Sequence, residues 1–170
     1  MRIVVPLIVL SLLLPAVAGA KDRVVVDDAG YVRITRVVLL PPELLLAALY
    51  DEGEDDEIEN EDLVGRTVLA REGDCTTYRM ITKGLVGTMT YDYRTCRTED
   101  GQREDLVASE DFLAYAVEWH INATEGGTEV GFYVRVIPNL KVPMALVRAG
   151  QKRSMKGTID RLVERASRRR

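Results

Sequence analysis

Alternation of apolar and polar side chains dominates the middle of the chain, and a helical period replaces it at the end. Two alternating runs flank Gly84-Leu85-Val86-Gly87, and a tight turn there pairs residues whose numbers sum to 171. That register sets Tyr78 opposite Tyr93, Met80 opposite Tyr91 and Thr82 opposite Met89 on one face. The other face then carries Arg79 opposite Asp92, Thr77 opposite Arg94 and Cys75 opposite Cys96. Neither the charge pair nor the cysteine pair is needed to choose the turn, so both support the register independently. A second hairpin turns at Thr124-Glu125-Gly126-Gly127, between a strand over 112–122 and one over 128–137. Pairing numbers that sum to 251 sets Trp119 against Phe132, Val117 against Val134, Ile121 against Val130 and Tyr115 against Val136. Leu113 belongs to the same apolar parity, and Ala114, Ala116, Glu118 and His120 to the other.

Earlier strands are read over 24–26 and 31–39, with Asp28-Ala29-Gly30 as a turn or bulge between them. Pro41-Pro42 stops the second, and Pro42 with Glu43 suits the first turn of a short helix ending at Tyr50. Glu99-Asp100-Gly101-Gln102 reads as a loop, and Leu106 to Ser109 as a further strand. From Val142 to Ala166, Met144, Val147, Met155, Ile159, Leu162 and Ala166 recur at helical spacing, with Gln151 in the one gap. Such a helix is roughly 36 Å long at 1.5 Å per residue. The arrangement that buries both apolar faces is an α+β fold, a curved antiparallel sheet of about seven strands around this one long helix.

A composition of 46% hydrophobic and 29% charged residues supports a globular domain rather than a disordered chain. Residues 1–20 are set apart. Arg2, an apolar run from Val4 to Leu14 and the small residues Ala18-Gly19-Ala20 predict a secretory signal peptide cut after Ala20. The run is broken by Pro6 and Pro15 and falls short of the ~20 residues that a membrane span needs. The expected organisation is therefore a signal peptide (1–20), a ligand-binding domain (21–166) and a basic tail (167–170), in a secreted or periplasmic protein. In such a compartment Cys75 and Cys96 are expected to form a disulfide.

Charge is unevenly spread. Nine of the twelve residues from Asp51 to Asp62 are acidic, which predicts a hydrated loop. A Ca²⁺ site is the chemical alternative, although the spacing lacks the EF-hand pattern. With a net charge of −4 and no binding motif, a nucleic-acid partner is not expected. The basic C-terminus, Arg168-Arg169-Arg170, suits transient contact with a membrane surface, and the domain is expected to be monomeric.

Candidate chemistry is sparse. His120 is the single histidine and falls on the polar side of its strand beside Glu118 and Asn122, so no catalytic residue, metal site or cofactor is assigned. Asn122-Ala123-Thr124 matches an N-glycosylation acceptor. No nucleophile elbow, P-loop or dinucleotide fingerprint is present. What remains is an aromatic and thioether lining: Tyr78, Met80, Met89, Tyr91, Tyr93, Tyr115, Trp119 and Phe132, facing Met155 and Ile159 of the helix. Phenols that need polar partners and adaptable methionines fit a ligand cavity for a hydrophobic small molecule.

Several stretches resemble the START-like, or SRPBCC, helix-grip superfamily, which includes polyketide cyclases and coenzyme-Q-binding proteins. They are Leu49-Tyr50-Asp51 after the first helix, Val64 to Asp74 entering a strand, Trp119 with Gly126-Gly127-Thr128, and Pro143 opening the last helix. The acidic Asp51–Asp62 segment departs from the pattern, which expects a partly apolar second helix there. The resemblance implies a pocket for a lipid, isoprenoid or polycyclic molecule between sheet and helix. A non-enzymatic carrier is the leading expectation. An enzyme of the cyclase or hydrolase kind, which needs an inward acid or base, and an interaction domain without a pocket are the alternatives.

Overall fold

The computed structural model describes residues 22–51, 63–84 and 87–169. The proposed signal peptide and nearly all of the acidic segment, with its Ca²⁺ alternative, lie outside the described residues. Eight strands form one antiparallel sheet: β1 (Arg23–Val26), β2 (Val32–Val38), β3 (Leu63–Glu72), β4 (Cys75–Gly84), β5 (Gly87–Thr98), β6 (Gly101–Ser109), β7 (Phe112–Thr124) and β8 (Gly127–Pro138). Their order is β1-β2-β8-β7-β6-β5-β4-β3. After β2 the chain crosses to the far edge by way of α1 (Pro42–Tyr50), then meanders back until β8 lies beside β2. The C-terminal helix α2 spans Met144–Ser167, and Pro143 caps its start. Among the described residues no helix is long and apolar enough to cross a membrane.

Both hairpin registers hold. β4 and β5 pair Cys75 with Cys96, Tyr78 with Tyr93 and Thr82 with Met89. β7 and β8 pair Tyr115 with Val136, Trp119 with Phe132 and Ile121 with Val130. On the face opposite the tyrosines, Arg79 binds Asp92 through two hydrogen bonds of 2.8 Å each. That bond holds the Asp92 carboxyl below the usual carboxylate range.

The expected sheet of about seven antiparallel strands is found with eight, and the turn between β1 and β2 pairs Val26 with Val32. Two expectations are corrected. β6 begins at Gly101, not Leu106, so half of the supposed loop is strand. Gly101 can enter there because it has no side chain: a Cβ at this position would lie 2.0 Å from the Trp119 carbonyl oxygen. Finally, a bulge between Phe112 and Ala114 reverses the start of β7. Phe112 is buried and Leu113, expected inside, is 67% exposed.

The core sits between α2 and the β2–β8–β7 side of the sheet. Val32, Ile34, Trp119, Val130 and Phe132 meet Met155, Ile159, Leu162 and Ala166 of the helix, with Leu45, Ala48 and Leu49 of α1 closing one end. The helical stripe is therefore buried in its C-terminal half, whereas Met144, Val147 and Gln151 are only half-buried. Arg36 of β2 ties this arrangement together. It binds Asp22 at 2.6 Å and also pairs with Asp160 of α2.

Candidate functional site

The concave face beyond this core is aromatic. Tyr78, Tyr91, Tyr93 and Phe112 form a second buried cluster, with Met80, Met89 and Leu106 packed against it. Tyr78 stacks on Tyr93 with 5.5 Å between ring centroids, and Phe112 meets Tyr91 edge-on at 5.0 Å. The predicted lining is thus divided in two. Trp119, Phe132, Met155 and Ile159 belong to the helix cluster, whereas the tyrosines of β4 and β5 belong to the other. Tyr115 and Val136 pack against both and join them. α2 lies closest to α1, β2 and β8, so the tyrosine half of the concave face is not covered by the helix core in the same way.

An acid beside the tyrosine cluster faces this interior, and it was not among the predicted residues. Glu104 of β6 pairs with Thr95 and Val117, which places it on the concave side. Its carboxylate accepts a hydrogen bond of 2.5 Å from the Tyr115 hydroxyl and one of 3.4 Å from the Gln102 amide. Burial pushes the Tyr115 phenol well above its ordinary pKa, and the negative charge of Glu104 adds to the effect. Tyr91 is raised for the same two reasons, burial first and Glu104 second. Tyr91 and Tyr115 are thereby held as phenols beside the Glu104 carboxylate.

Toward the α1 end the concave face becomes polar. A cavity of about 220 Å³ is lined by Tyr50, Asp51, Arg71, Asp74, Thr76, Tyr78, Thr95, Arg97 and Gln102. Arg97 lies over the Tyr50 ring at 4.9 Å and donates to the Tyr50 carbonyl oxygen at 3.2 Å. The Tyr50 hydroxyl is within 2.8 Å of the Thr98 carbonyl oxygen and 3.0 Å of that of Gly101, which fixes α1 against the β5–β6 turn. Thr76 and Thr95 were legible as inward residues, since their numbers also sum to 171 and they pair as that register requires. Gln102 and Glu104 were not, because the loop reading of 99–102 and the late start of the next strand hid their parity.

On the convex side, His120 lies between two carboxylates, with Nδ1 2.9 Å from Asp100 and Nε2 3.4 Å from Glu118. The Tyr31 hydroxyl donates to Glu118 at 3.3 Å. His120 and Glu118 therefore stand outside the concave interior, as their parity predicts. Cys75 and Cys96 are joined as a disulfide across β4 and β5. In the basic tail Arg168 pairs with Glu164 at 2.6 Å, and Arg169 pairs with Asp51 beside α1.

No family model matches the chain, and no curated protein sequence matches it. Solved structures do. A START superfamily protein from Mycobacterium smegmatis superposes with a TM-score of 0.67 at 16% identity, covering 82% of this chain and 99% of that one. The Zhui aromatase/cyclase from Streptomyces sp. R1128 gives 0.66 at 13% identity over 82% of this chain and 94% of its own. Human StAR-related lipid transfer protein 5 gives 0.62 at 13% identity, over 91% and 89%. At such identities the likeness is one of fold.

Proposed function

We propose that this chain, which has the START-like helix-grip fold, is an exported, non-enzymatic carrier for a hydrophobic small molecule held between the concave sheet and the C-terminal helix. The observation that carries this reading is the joined pair of apolar clusters on the concave face, with Tyr115 and Val136 between them. Filling the space beside such a face removes apolar ligand surface from water, and burying ~300 Å² at about 25 cal/mol per Å² contributes on the order of 7 kcal/mol before ordering costs. The neighbour named for lipid transfer shows that this fold accommodates such a role in another protein. Export draws its support from the N-terminal sequence pattern and from the disulfide, which persists in oxidising compartments.

A second reading has one specific observation in its favour. Glu104 is an inward acid of the kind a cyclase requires, and an aromatase/cyclase shares the fold. The carrier reading is preferred because the Glu104 carboxylate is already engaged by Tyr115 and Gln102, while His120 and Glu118 lie on the convex side. Native mass spectrometry of protein purified from its own host tests the proposal. The expected result is a retained apolar compound that organic extraction releases unchanged. Protein that carries no compound and takes none up from a lipid extract would overturn the carrier reading, and conversion of the released compound on re-addition would favour the enzyme.

A further inference from the structure

The carrier reading gives the Glu104 carboxylate no task, although it is turned toward the ligand side of the sheet. In register it stands between Thr95 and Val117, both buried on the concave face, and it is itself half-buried. Its donors, the Tyr115 hydroxyl at 2.5 Å and the Gln102 amide at 3.4 Å, are both uncharged, so they hold the carboxylate in place without neutralising it. An ionised group beside aromatic rings is costly to keep, and an aliphatic side chain would pack there without that cost.

The neighbouring phenols register its field. Glu104 opposes ionisation of both Tyr115 and Tyr91, adding to the effect of burial. A ligand anion laid against the same rings meets the same opposition, little screened where water is scarce. Cations of the concave face are directed elsewhere. Arg97 lies over the Tyr50 ring at 4.9 Å and donates to the Tyr50 carbonyl oxygen, toward α1. Arg66 covers the Tyr78 ring at 5.1 Å from the edge strand β3, three strands away from β6. The Asp51–Asp62 segment contains no Lys or Arg, so its charge has the same sign as that of Glu104.

We propose that Glu104 determines specificity at the concave site: its charge excludes ligands whose buried end is anionic, so the compound carried is uncharged where it meets Tyr91 and Tyr115. Discrimination by an unfavourable contact needs no new hydrogen bond, and it operates with Tyr115 and Gln102 already on the carboxylate. This inference deepens the carrier reading and rests on it: it names the class of ligand and the residue that selects it.

The test compares pyrenemethanol with pyrenecarboxylate, which share one rigid ring system and differ in charge, by fluorescence titration of delipidated full-length protein at neutral pH. The alcohol is expected to bind about tenfold more tightly. Glu104→Gln keeps the side-chain shape and an acceptor for the Tyr115 hydroxyl while removing the charge. It should bring the two affinities to within about twofold of each other, with near-ultraviolet circular dichroism reporting that the tyrosines pack as before. Equal affinities in the parent, or a preference that survives Glu104→Gln in folded protein, would overturn the role of Glu104 and leave the carrier reading standing. A carboxylic or phosphoric acid retained by protein from its own host would do the same without any variant. Failure of both probes to bind at their solubility limit, by protein that also retains nothing from its host, would overturn the two together.

Discussion

Tyr115 is the side chain on which the two halves of the interior depend. Its ring packs between the helix cluster and the tyrosine cluster, and its hydroxyl reaches the inward carboxylate of Glu104 at 2.5 Å. A hydrogen bond to a charged group stabilises by about 1.5–3 kcal/mol, and losing the donor leaves Glu104 poorly solvated. Tyr115→Phe should therefore cost about 2 kcal/mol in urea unfolding at neutral pH. The same phenol dictates a pH dependence. Its folded pKa, like that of Tyr91, lies above the ordinary 10.0 because burial and Glu104 oppose the phenolate. Stability from these groups is fully present below pH ~10 and is lost as the pH rises above it, since only the unfolded chain ionises freely there. Tyr115→Phe and Tyr91→Phe should each flatten that alkaline decline when midpoints are compared between pH 8 and 11. A decline of unchanged slope would mean that neither phenol is held protonated by the fold.

At the scale of elements, Arg36 clamps α2 to the edge of the sheet. Its guanidinium joins Asp22, just before β1, to Asp160 on the helix, and both Arg36 and Asp22 have mostly buried side chains. Arg36→Ala would leave the Asp22 carboxylate short of its main partner, for about 2 kcal/mol in thermal or urea unfolding, less than the cost of breaking a fully buried pair. The acid limb follows from the sign of the shift. The hydrogen bond from Arg36 holds Asp22 below its ordinary 3.8, so its contribution is present above that value and is lost as the pH falls through the lower folded one. The variant should lose less stability between pH 5 and pH 2 than the parent does. Elements also explain what the sequence made legible. Period-two alternation with Gly-rich turns set the register of both long hairpins up to the bulge at Phe112, because a slip by one would expose Trp119 or Tyr93. β6 escaped because Gln102, Arg103, Glu104 and Asp105 look like a loop, and its pairing depends on Gly101 lying flat against Trp119, a contact no local pattern announces. Leu113 failed for a related reason: the bulge at the start of β7 is favoured by Phe112 packing on Tyr91, across three strands.

For the whole molecule, compartment and stability are linked through the disulfide. The sheet is open at β1 and β3, and the concave half bearing the tyrosines is built on β4 and β5, next to the β3 edge and away from the helix core. Cys75–Cys96 clips that outer hairpin at the end opposite its turn, and the polar cavity sits beside it, lined by the adjacent Thr76 and Thr95. Closing a loop between residues 21 apart in sequence stabilises by about 3 kcal/mol in the chain-entropy view. A chain matured in a reducing compartment would forgo this and hold the tyrosine-bearing half of the sheet more loosely. The double variant Cys75→Ser/Cys96→Ser should therefore unfold about 3 kcal/mol more easily, a fall of roughly 6–12 °C in melting temperature for a domain of this size. Hydrogen exchange should rise in β4 and β5 before it rises in β7 and β8, because the latter pair lies within the core beneath α2. A uniform rise across the sheet would mean that the clip stabilises the fold as a whole, and the concave tyrosine face would then owe nothing special to an oxidising environment.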